Sequence, residues 1–147
     1  MTNKQSVNLL LIEDNPGDVE LTRESLASGK VRNSLTVIMD GEEAMDYLFQ
    51  RGAHAHSELP DLILLDLNLP KVSGRDILNA IKTDETRHDI PVIILSSSEA
   101  AKDIQTSYKL NANCFVTKPV LLEDFMRVIQ TLETFWIDIV NLPGQAR

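Results

Sequence analysis

The sequence predicts an α/β fold in which a parallel sheet of five strands is covered by helices on both faces. Five short runs rich in Val, Ile and Leu recur along the chain, and stretches with apolar residues at helical spacing separate them. Near-continuous apolar strands that alternate with helices are typical of a doubly wound parallel sheet, because each crossover helix packs back on the sheet. A length of 147 residues fits one such domain.

The predicted strands are bounded by polar residues and are four to six residues long in most cases. They are Val7 to Ile12, Leu35 to Ile38, Leu62 to Leu65, Val92 to Leu95 and Cys114 to Val116. The predicted helices carry Val19, Leu21 and Leu26; Ala44, Met45 and Leu48; Ile77, Leu78 and Ile81; Ile104, Tyr108 and Leu110; and the apolar residues that follow Leu121. Two polar stretches that end in proline, Arg51 to Pro60 and Thr83 to Pro91, are expected to be surface loops.

Composition excludes several classes of protein. The formal charge is -8, with 22 acidic and 14 basic residues, and no basic stripe interrupts it, so binding to nucleic acid is not expected. No apolar run approaches the roughly 20 residues of a membrane span. The first six residues lack the pattern of a signal peptide, which predicts a cytoplasmic protein. The one cysteine, Cys114, allows no internal disulfide, and the three histidines, in predicted loops, are expected to be solvated.

Polar residues follow four of the five predicted strands. They are Glu13-Asp14, Asp66-Leu67-Asn68, Ser96-Ser97-Ser98 and Thr117-Lys118-Pro119. Ligands of open parallel sheets bind outside the carboxyl ends of the strands, so these residues are expected to meet at one rim. Each group alone is also explained by turn chemistry or by a solvated acidic face. The second strand contributes no such residue.

Taken together, the groups suit phosphoryl transfer. Three carboxylates at one rim repel one another and need a hard cation, and Mg²⁺ is usually held by one or two carboxylates and phosphate oxygens. We expect Asp14, Asp66 and the backbone carbonyl of Asn68 to hold Mg²⁺, which Mn²⁺ can replace. Asp66 would then be the nucleophile, while Lys118 neutralises the phosphoryl oxygens and Ser96 hydrogen-bonds one of them.

The chain resembles the two-component response regulator receiver domain from about Asn8 to Leu132. Glu13-Asp14, Asp66, Gly74, Ser96 and Lys118-Pro119 all fall in the family's order. The resemblance implies a flavodoxin-like fold with strand order 2-1-3-4-5, Mg²⁺ held by the acidic pair and Asp66, and a histidine kinase as phosphoryl donor. It also implies that Ser96, Ser97 and Lys118 bind the phosphoryl group, and that the Lys118-Pro119 peptide bond is cis.

A narrower resemblance links the chain to single-domain regulators of cyanobacterial and bacterial phytochrome kinases. It rests on the run from Glu13 to Val19, on the Asp66 to Pro70 turn and on Phe135-Trp136. A phytochrome kinase is therefore the partner that it implies.

The family's switch joins the hydroxyl residue, here Ser96, to an aromatic residue of the fifth strand, here Phe115. Filling the site draws Ser96 inward and Phe115 follows, which changes the face of helix four, strand five and helix five. Many receivers have tyrosine at this position, and Phe115 lacks the hydroxyl that favours an outward rotamer, so a smaller bias toward the inactive state is expected. The alternative is that Phe115 is an ordinary core aromatic.

The whole chain, residues 1–147, is expected to be a single receiver domain, with 133–147 as a C-terminal extension and no output domain. An extended final helix would carry more apolar residues than one buried stripe needs. The candidates for a homodimer interface are Phe135, Trp136, Ile139 and Val140. The alternative is a longer helix that folds against its own domain.

Three other functions are weighed against a receiver. An aspartyl-phosphate phosphatase of the dehalogenase type needs a second carboxylate two residues after the nucleophile, and this chain has Asn68 there. A flavin-binding module needs a phosphate loop after the first strand, where Glu13-Asp14 would repel a phosphate. A receiver that binds partners without phosphorylation would have lost Asp66, Lys118 or the acidic pair, and all are present. We therefore expect an acceptor of a phosphoryl group that undergoes slow self-dephosphorylation, and no enzyme.

Overall fold

The computed structural model describes residues 7–27, 33–97 and 114–118, and within them lies one parallel sheet of five strands. The strands are β1 (Val7–Ile12), β2 (Asn33–Ile38), β3 (Leu62–Asp66), β4 (Val92–Ser97) and β5 (Cys114–Lys118). The α-helices are α1 (Pro16–Ala27), α2 (Gly41–Leu48) and α3 (Gly74–Lys82), and a short 3₁₀ helix (Gly52–His54) lies within the first predicted loop. The order across the sheet is β2-β1-β3-β4-β5, as predicted. The helices predicted after β4, including the extended C-terminal helix, lie outside the described residues.

The two faces of the sheet bury separate hydrophobic clusters. In β1, Leu9 and Leu11 belong to the cluster on the side of α1, whereas Leu10 and Ile12 belong to the cluster on the side of α2 and α3. This alternation follows from the two-residue period of a strand. Each buried leucine or isoleucine contributes about 1.5–3 kcal/mol relative to an exposed one. The prediction of helices on both faces is therefore confirmed.

Three strands extend beyond their apolar runs, toward the rim formed by the carboxyl ends of the strands. Asp66 is the last residue of β3 and pairs in register with Leu95, and the last residues of β4 and β5, Ser97 and Lys118, pair with each other. The prediction that these polar residues come after their strands is wrong. The ladder is made of backbone groups, so pairing continues through residues whose side chains interrupt the hydrophobic pattern.

Each of the three described α-helices begins at this same rim with a side-chain cap. Asn15 accepts from the backbone N–H of Asp18 at 3.1 Å, Asp40 from that of Glu43 at 2.8 Å, and Ser73 from that of Asp76 at 3.2 Å. Asn, Asp and Ser are favoured at this position because their oxygens satisfy a backbone donor that has no partner within the helix. The caps fix where each helix leaves the sheet, next to the strand ends.

The opposite rim carries the two predicted surface loops, and Arg87 of the second loop contacts the residues at the end of α2. Its guanidinium donates to the backbone oxygen of Leu48 and to Oε1 of Gln50, and it lies 4.7 Å from the ring centroid of Phe49. Lys82 supports the second loop by donating to the backbone oxygen of Ile90 at 2.8 Å. These contacts tie the loop after α2 to the loop after α3.

One histidine departs from the expectation of solvated side chains. His56 and His88 are exposed, but the side chain of His54 is only 26% exposed. Its Nε2 lies 3.0 Å from Oε2 of Glu43, and its ring meets Tyr47 edge-on. Glu43 of α2 accounts for the difference, because its contact with the imidazole keeps the ring partly out of solvent.

Asp84 should give a pH-dependent contribution to stability. Partial burial alone would raise its pKa, but hydrogen bonds from the side chain and backbone of Arg87 and the backbone of Thr86 outweigh this and hold the pKa below the usual 3.8. A carboxylate with a lowered folded pKa stabilises the protein above its unfolded pKa, and that stabilisation disappears as the pH falls through the folded pKa. We expect Asp84→Asn to lower the urea midpoint at pH 7. The difference from the wild type should shrink below the usual pKa of 3.8, and a constant difference would contradict the assignment.

Candidate functional site

Three carboxylates meet at the rim where β1 and β3 end. Carboxylate oxygens of Glu13, Asp14 and Asp66 all lie within 4.8 Å of one another. Glu13 is 0% and Asp66 3% exposed, whereas Asp14 is exposed. The acidic residues predicted to share the rim therefore lie together, with two of them buried and one facing solvent.

The acidic pair is held by the backbone at the end of β1. The N–H of Glu13 donates to the backbone oxygen of Ile38, the last residue of β2, at 3.1 Å. Its Oε2 accepts from the backbone N–H of Asn15 at 3.2 Å. Because Asn15 also caps α1, the turn from Glu13 to Pro16 is fixed from both sides.

Asp66 is held by the loop that follows it. Its Oδ1 accepts the backbone N–H of Asn68 at 2.9 Å, and the N–H of Leu67 donates to the oxygen of Leu95 at 3.3 Å. Leu67 is buried and anchors the loop, while the side chain of Asn68 is exposed. This geometry turns the carboxylate of Asp66 toward the acidic pair and brings the backbone of Asn68 beside it.

Gly74, the first residue of α3, lies against the backbone of the nucleophile candidate. A Cβ added there would come within 2.3 Å of the backbone oxygen of Asp66 and 2.5 Å of Cα of Leu67. The N–H of Gly74 also donates to the oxygen of Leu67 at 3.1 Å. Any side chain would force α3 and the loop apart, so glycine is required by close approach.

The remaining predicted residues are described by their backbone alone or lie outside the description. Ser96 and Ser97 end β4, Lys118 ends β5, and Phe115 pairs in register with Ile94. These strand ends share the rim with Asp66. Pro119 and the interface candidates Phe135, Trp136, Ile139 and Val140 fall outside the described residues.

The acidic cluster is compatible with a divalent cation such as Mg²⁺ or Mn²⁺. Negative charges this close repel one another, and the repulsion is stronger around the buried Glu13 and Asp66 than it would be in water. A hard cation relieves the repulsion and takes oxygen ligands, which all three residues offer. Among the described residues this is the one group of three or more potential ligands of this kind.

Mg²⁺ should therefore stabilise the wild-type protein. A ligand that binds only the folded state at a hundred times its Kd adds about 2.7 kcal/mol, which for a chain of this length corresponds to a rise in Tm of roughly 5–10 °C. Differential scanning fluorimetry with Mg²⁺, and with KCl at matched ionic strength, measures it. Asp14→Asn should lose the rise and, in EDTA, should melt no lower than the wild type, because one charge of the cluster is gone. An equal rise in this variant would refute a cation at the cluster.

Two residues that frame the site offer no reactive side chain, and sequence reasoning missed them. Ile38 contributes a backbone oxygen, and Gly41, the first residue of α2, packs against the loop after Asp66. A hydrophobic residue that ends a strand carries no chemical signal. A buried glycine at the first position of a helix is a weak signal of close backbone approach.

Comparisons with known proteins agree with this geometry. Residues 9–130 match the family model for the response regulator receiver domain. Response regulator Rcp1 of Synechocystis sp. is 41% identical over 136 residues, which cover 92% of this chain and 92% of that protein.

Two solved structures are similar throughout. The crystal structure of the Mn²⁺-bound form of Rcp1 has a TM-score of 0.80 and 40% identity, covering 93% of this chain and 99% of that one. The phosphorylated cyanobacterial phytochrome response regulator RcpA has a TM-score of 0.81 and 43% identity, covering 94% and 99%. Both matches cover nearly the whole of the solved chain.

Proposed function

The chain belongs to the response regulator receiver family, and on that premise we propose that Asp66 accepts a phosphoryl group from a histidine kinase in a Mg²⁺-dependent reaction. The observation that carries the proposal is the buried carboxylate of Asp66 at the end of a central strand, within 4.8 Å of two further carboxylates. A nucleophile at that place is fixed by the sheet and faces the solvent-exposed Asp14, the side from which a donor approaches.

The transfer needs little covalent chemistry from the protein. A carboxylate oxygen of Asp66 forms a bond to phosphorus while the bond from phosphorus to the kinase's histidine nitrogen breaks, and the imidazole keeps the electron pair and takes a proton from water. When bound, Mg²⁺ would supply positive charge that neutralises the phosphoryl oxygens. Glu13, Asp14, Asp66 and the backbone carbonyl of Asn68 would hold it. The hydrogen bond from the N–H of Asn68 keeps the Asp66 carboxylate in one orientation.

Lys118, Ser96 and Ser97 are proposed to bind the phosphoryl oxygens. The register of β4 with β5 supports this role, since it brings the backbones of Ser97 and Lys118 opposite each other at the rim of Asp66. A lysine ammonium and a serine hydroxyl both stabilise a phosphoryl dianion by charge-assisted hydrogen bonds.

Ser96 and Phe115 are proposed to convert phosphorylation into a change of the surface formed by helix four, β5 and helix five. Both lie on adjacent strands of the sheet. Phosphorylation can shift the equilibrium only by its difference in affinity for the two arrangements. Crystals grown with and without a phosphoryl mimic should therefore show two rotamers of Phe115, and a single rotamer would end this role.

The partner implied by the family is a histidine kinase, and we propose a phytochrome as that kinase. The support is that RcpA is named as a phytochrome response regulator and is 43% identical to this chain. Transfer of ³²P from a phytochrome kinase should outpace transfer from an unrelated histidine kinase at equal concentration. Equal rates would leave the receiver function intact and remove the phytochrome assignment.

We propose that the protein accepts a phosphoryl group and does not hydrolyse phosphate esters, because the site lacks a general acid two residues after the nucleophile. Two residues after Asp66 stands Asn68, whose exposed amide is far too weak an acid to protonate a leaving group. The protein should therefore leave p-nitrophenyl phosphate intact. Multiple turnover that depends on Asp66 would favour the phosphatase alternative.

The proposed function is tested by intact-mass spectrometry after incubation with acetyl phosphate and Mg²⁺, with EDTA as control. A single phosphoryl adduct that requires the metal is the expected result. If neither acetyl phosphate nor a histidine kinase gives an adduct, the protein is a receiver that binds partners without phosphorylation.

A homodimer through Phe135, Trp136, Ile139 and Val140 is proposed from the sequence alone. Removal of 135–147 should convert a dimer into a monomer in multi-angle light scattering, because an interface rich in aromatic residues would be lost. A truncated protein that remains a dimer would place the interface elsewhere.

The cytoplasmic location and the lack of nucleic-acid binding stay predictions. No helix within residues 7–27 and 33–97 has the length and hydropathy of a membrane span.

A further inference from the structure

The junction between β2 and α2, residues 38–41, contributes no reactive group to the rim but contacts both halves of the site. On one side, the backbone oxygen of Ile38 accepts the N–H of Glu13 at 3.1 Å, which fixes the start of the acidic pair. On the other side, Gly41 meets the loop that joins β3 to α3. The junction carries no chemical signal in the sequence, but it contacts both the acidic pair and the loop after Asp66.

Gly41 lies against Val72, and its nearest contact is with the backbone oxygen. A Cβ added to Gly41 would lie 2.2 Å from the backbone oxygen of Val72 and 3.0 Å from its carbonyl carbon and Cβ. Real Cβ atoms essentially never come so near, so a side chain at Gly41 would have to push the loop or the helix away. Val72 is itself partly buried and packs against the core cluster on this face.

The loop held in this way is the one that carries Asn68. It runs from Asp66 to Gly74, passes through Lys71 with φ 67°, and is closed at its far end by the close approach of Gly74 to Asp66. Gly74 closes the loop from within the same segment of chain, and Gly41 brings a second helix against Val72, two residues before Gly74. The N–H of Asn68 then meets Oδ1 of Asp66 at 2.9 Å.

We infer that the β2–α2 junction positions the acidic pair and the Asn68 loop relative to each other, and that Gly41 is a positioning residue for cation binding at the site. The inference rests on the proposed cation site. Cation affinity depends on the spacing of ligands that come from separate segments, and residues that orient ligands typically affect metal affinity by 10–100-fold. A junction fixed to both segments sets that spacing.

The test measures Mn²⁺ binding by electron paramagnetic resonance, which reports the free ion and needs no phosphoryl transfer. Gly41→Ala is expected to weaken Mn²⁺ binding by about tenfold or more, within the range seen for residues that orient metal ligands. Val72→Gly removes the side-chain part of the same contact without adding bulk and is expected to weaken binding as well. If Gly41→Ala does not fold, Val72→Gly decides the matter alone.

A matched control separates positioning from general loss of stability. Ala44→Gly lowers helix propensity in α2 at a buried position of the core cluster and adds no bulk against Val72. It should be less stable to urea than the wild type and keep wild-type affinity for Mn²⁺. Folded Gly41→Ala or Val72→Gly with wild-type affinity would overturn the role of the junction, as would equal weakening in Ala44→Gly.

The outcome for the wild type keeps this inference distinct from the proposed function. Asp14→Asn should abolish Mn²⁺ binding, which locates the ion at the acidic cluster. A wild type that binds no Mn²⁺ would overturn the cation site and the positioning role with it. Wild-type binding with unchanged variants would overturn the positioning role and leave the receiver function standing.

Discussion

Asp66→Asn should abolish the phosphoryl adduct while leaving the fold intact. The amide is nearly the same size as the carboxylate, so the packing at the end of β3 is kept, but its nitrogen and oxygen are far weaker nucleophiles. Intact-mass spectrometry after incubation with acetyl phosphate and Mg²⁺ should show the wild-type adduct and none in the variant.

The structure adds an expectation about the stability of this variant. With three carboxylates within 4.8 Å, removal of one charge relieves repulsion in the absence of metal. Asp66→Asn should therefore melt at or above the wild-type temperature in EDTA. Asp89→Asn, on an exposed residue of the opposite rim, is the control for the chemical change and should accept the phosphoryl group normally. An adduct that persists in Asp66→Asn would mean that another residue is the acceptor.

Gly74→Ala should be among the most destabilising single substitutions in the described part of the chain. One added methyl group would meet the backbone oxygen of Asp66 at 2.3 Å and Cα of Leu67 at 2.5 Å, and neither atom can turn away as a side chain would. Overpacking of a well-packed region costs typically about 1–3 kcal/mol, and contact with backbone at both points favours the upper end or beyond. Urea unfolding in EDTA measures this without the contribution of a metal.

Gly17→Ala is the matched control, because it adds the same methyl group near the start of another helix. There the nearest atom is Oδ1 of Asn15 at 3.2 Å, the end of a side chain that can shift slightly. Alanine favours helix over glycine by up to about 1 kcal/mol, so this variant should be as stable as the wild type or more so. A similar loss of stability in both variants would show that close approach to Asp66 is not the cause.

Much of the sheet could be predicted from hydrophobic pattern. β1 was predicted with its observed bounds, and the strand order implied by the receiver resemblance is the observed one. The ends of β3, β4 and β5 were predicted too early, because Asp66, Ser97 and Lys118 are polar and the pattern stops before them. These polar residues occupy the last positions of strands, where backbone pairing persists.

The acidic cluster could be predicted from residue type and position, but the backbone contacts that hold it in place could not. Glu13, Asp14 and Asp66 carry charge, and their places at strand ends indicate proximity. The hydrogen bond from Glu13 to Ile38 and the approach of Gly41 to Val72 depend on backbone geometry, which differs little in sequence signal from any strand end or helix start. The partial burial of His54 escaped prediction for a related reason, since its partner Glu43 lies eleven residues earlier.

The Arg87 contacts bear on how the protein can be handled in the laboratory. They connect the loops after α2 and α3 at the end of the sheet opposite to Asp66, where the guanidinium lies over the ring of Phe49 and donates to Gln50. Exposed positions of these loops such as Glu85 are therefore suitable attachment points for a fluorophore or a surface tether. A protein immobilised there would present its acidic rim to the solution, which is the orientation that a sensor of phosphorylation requires.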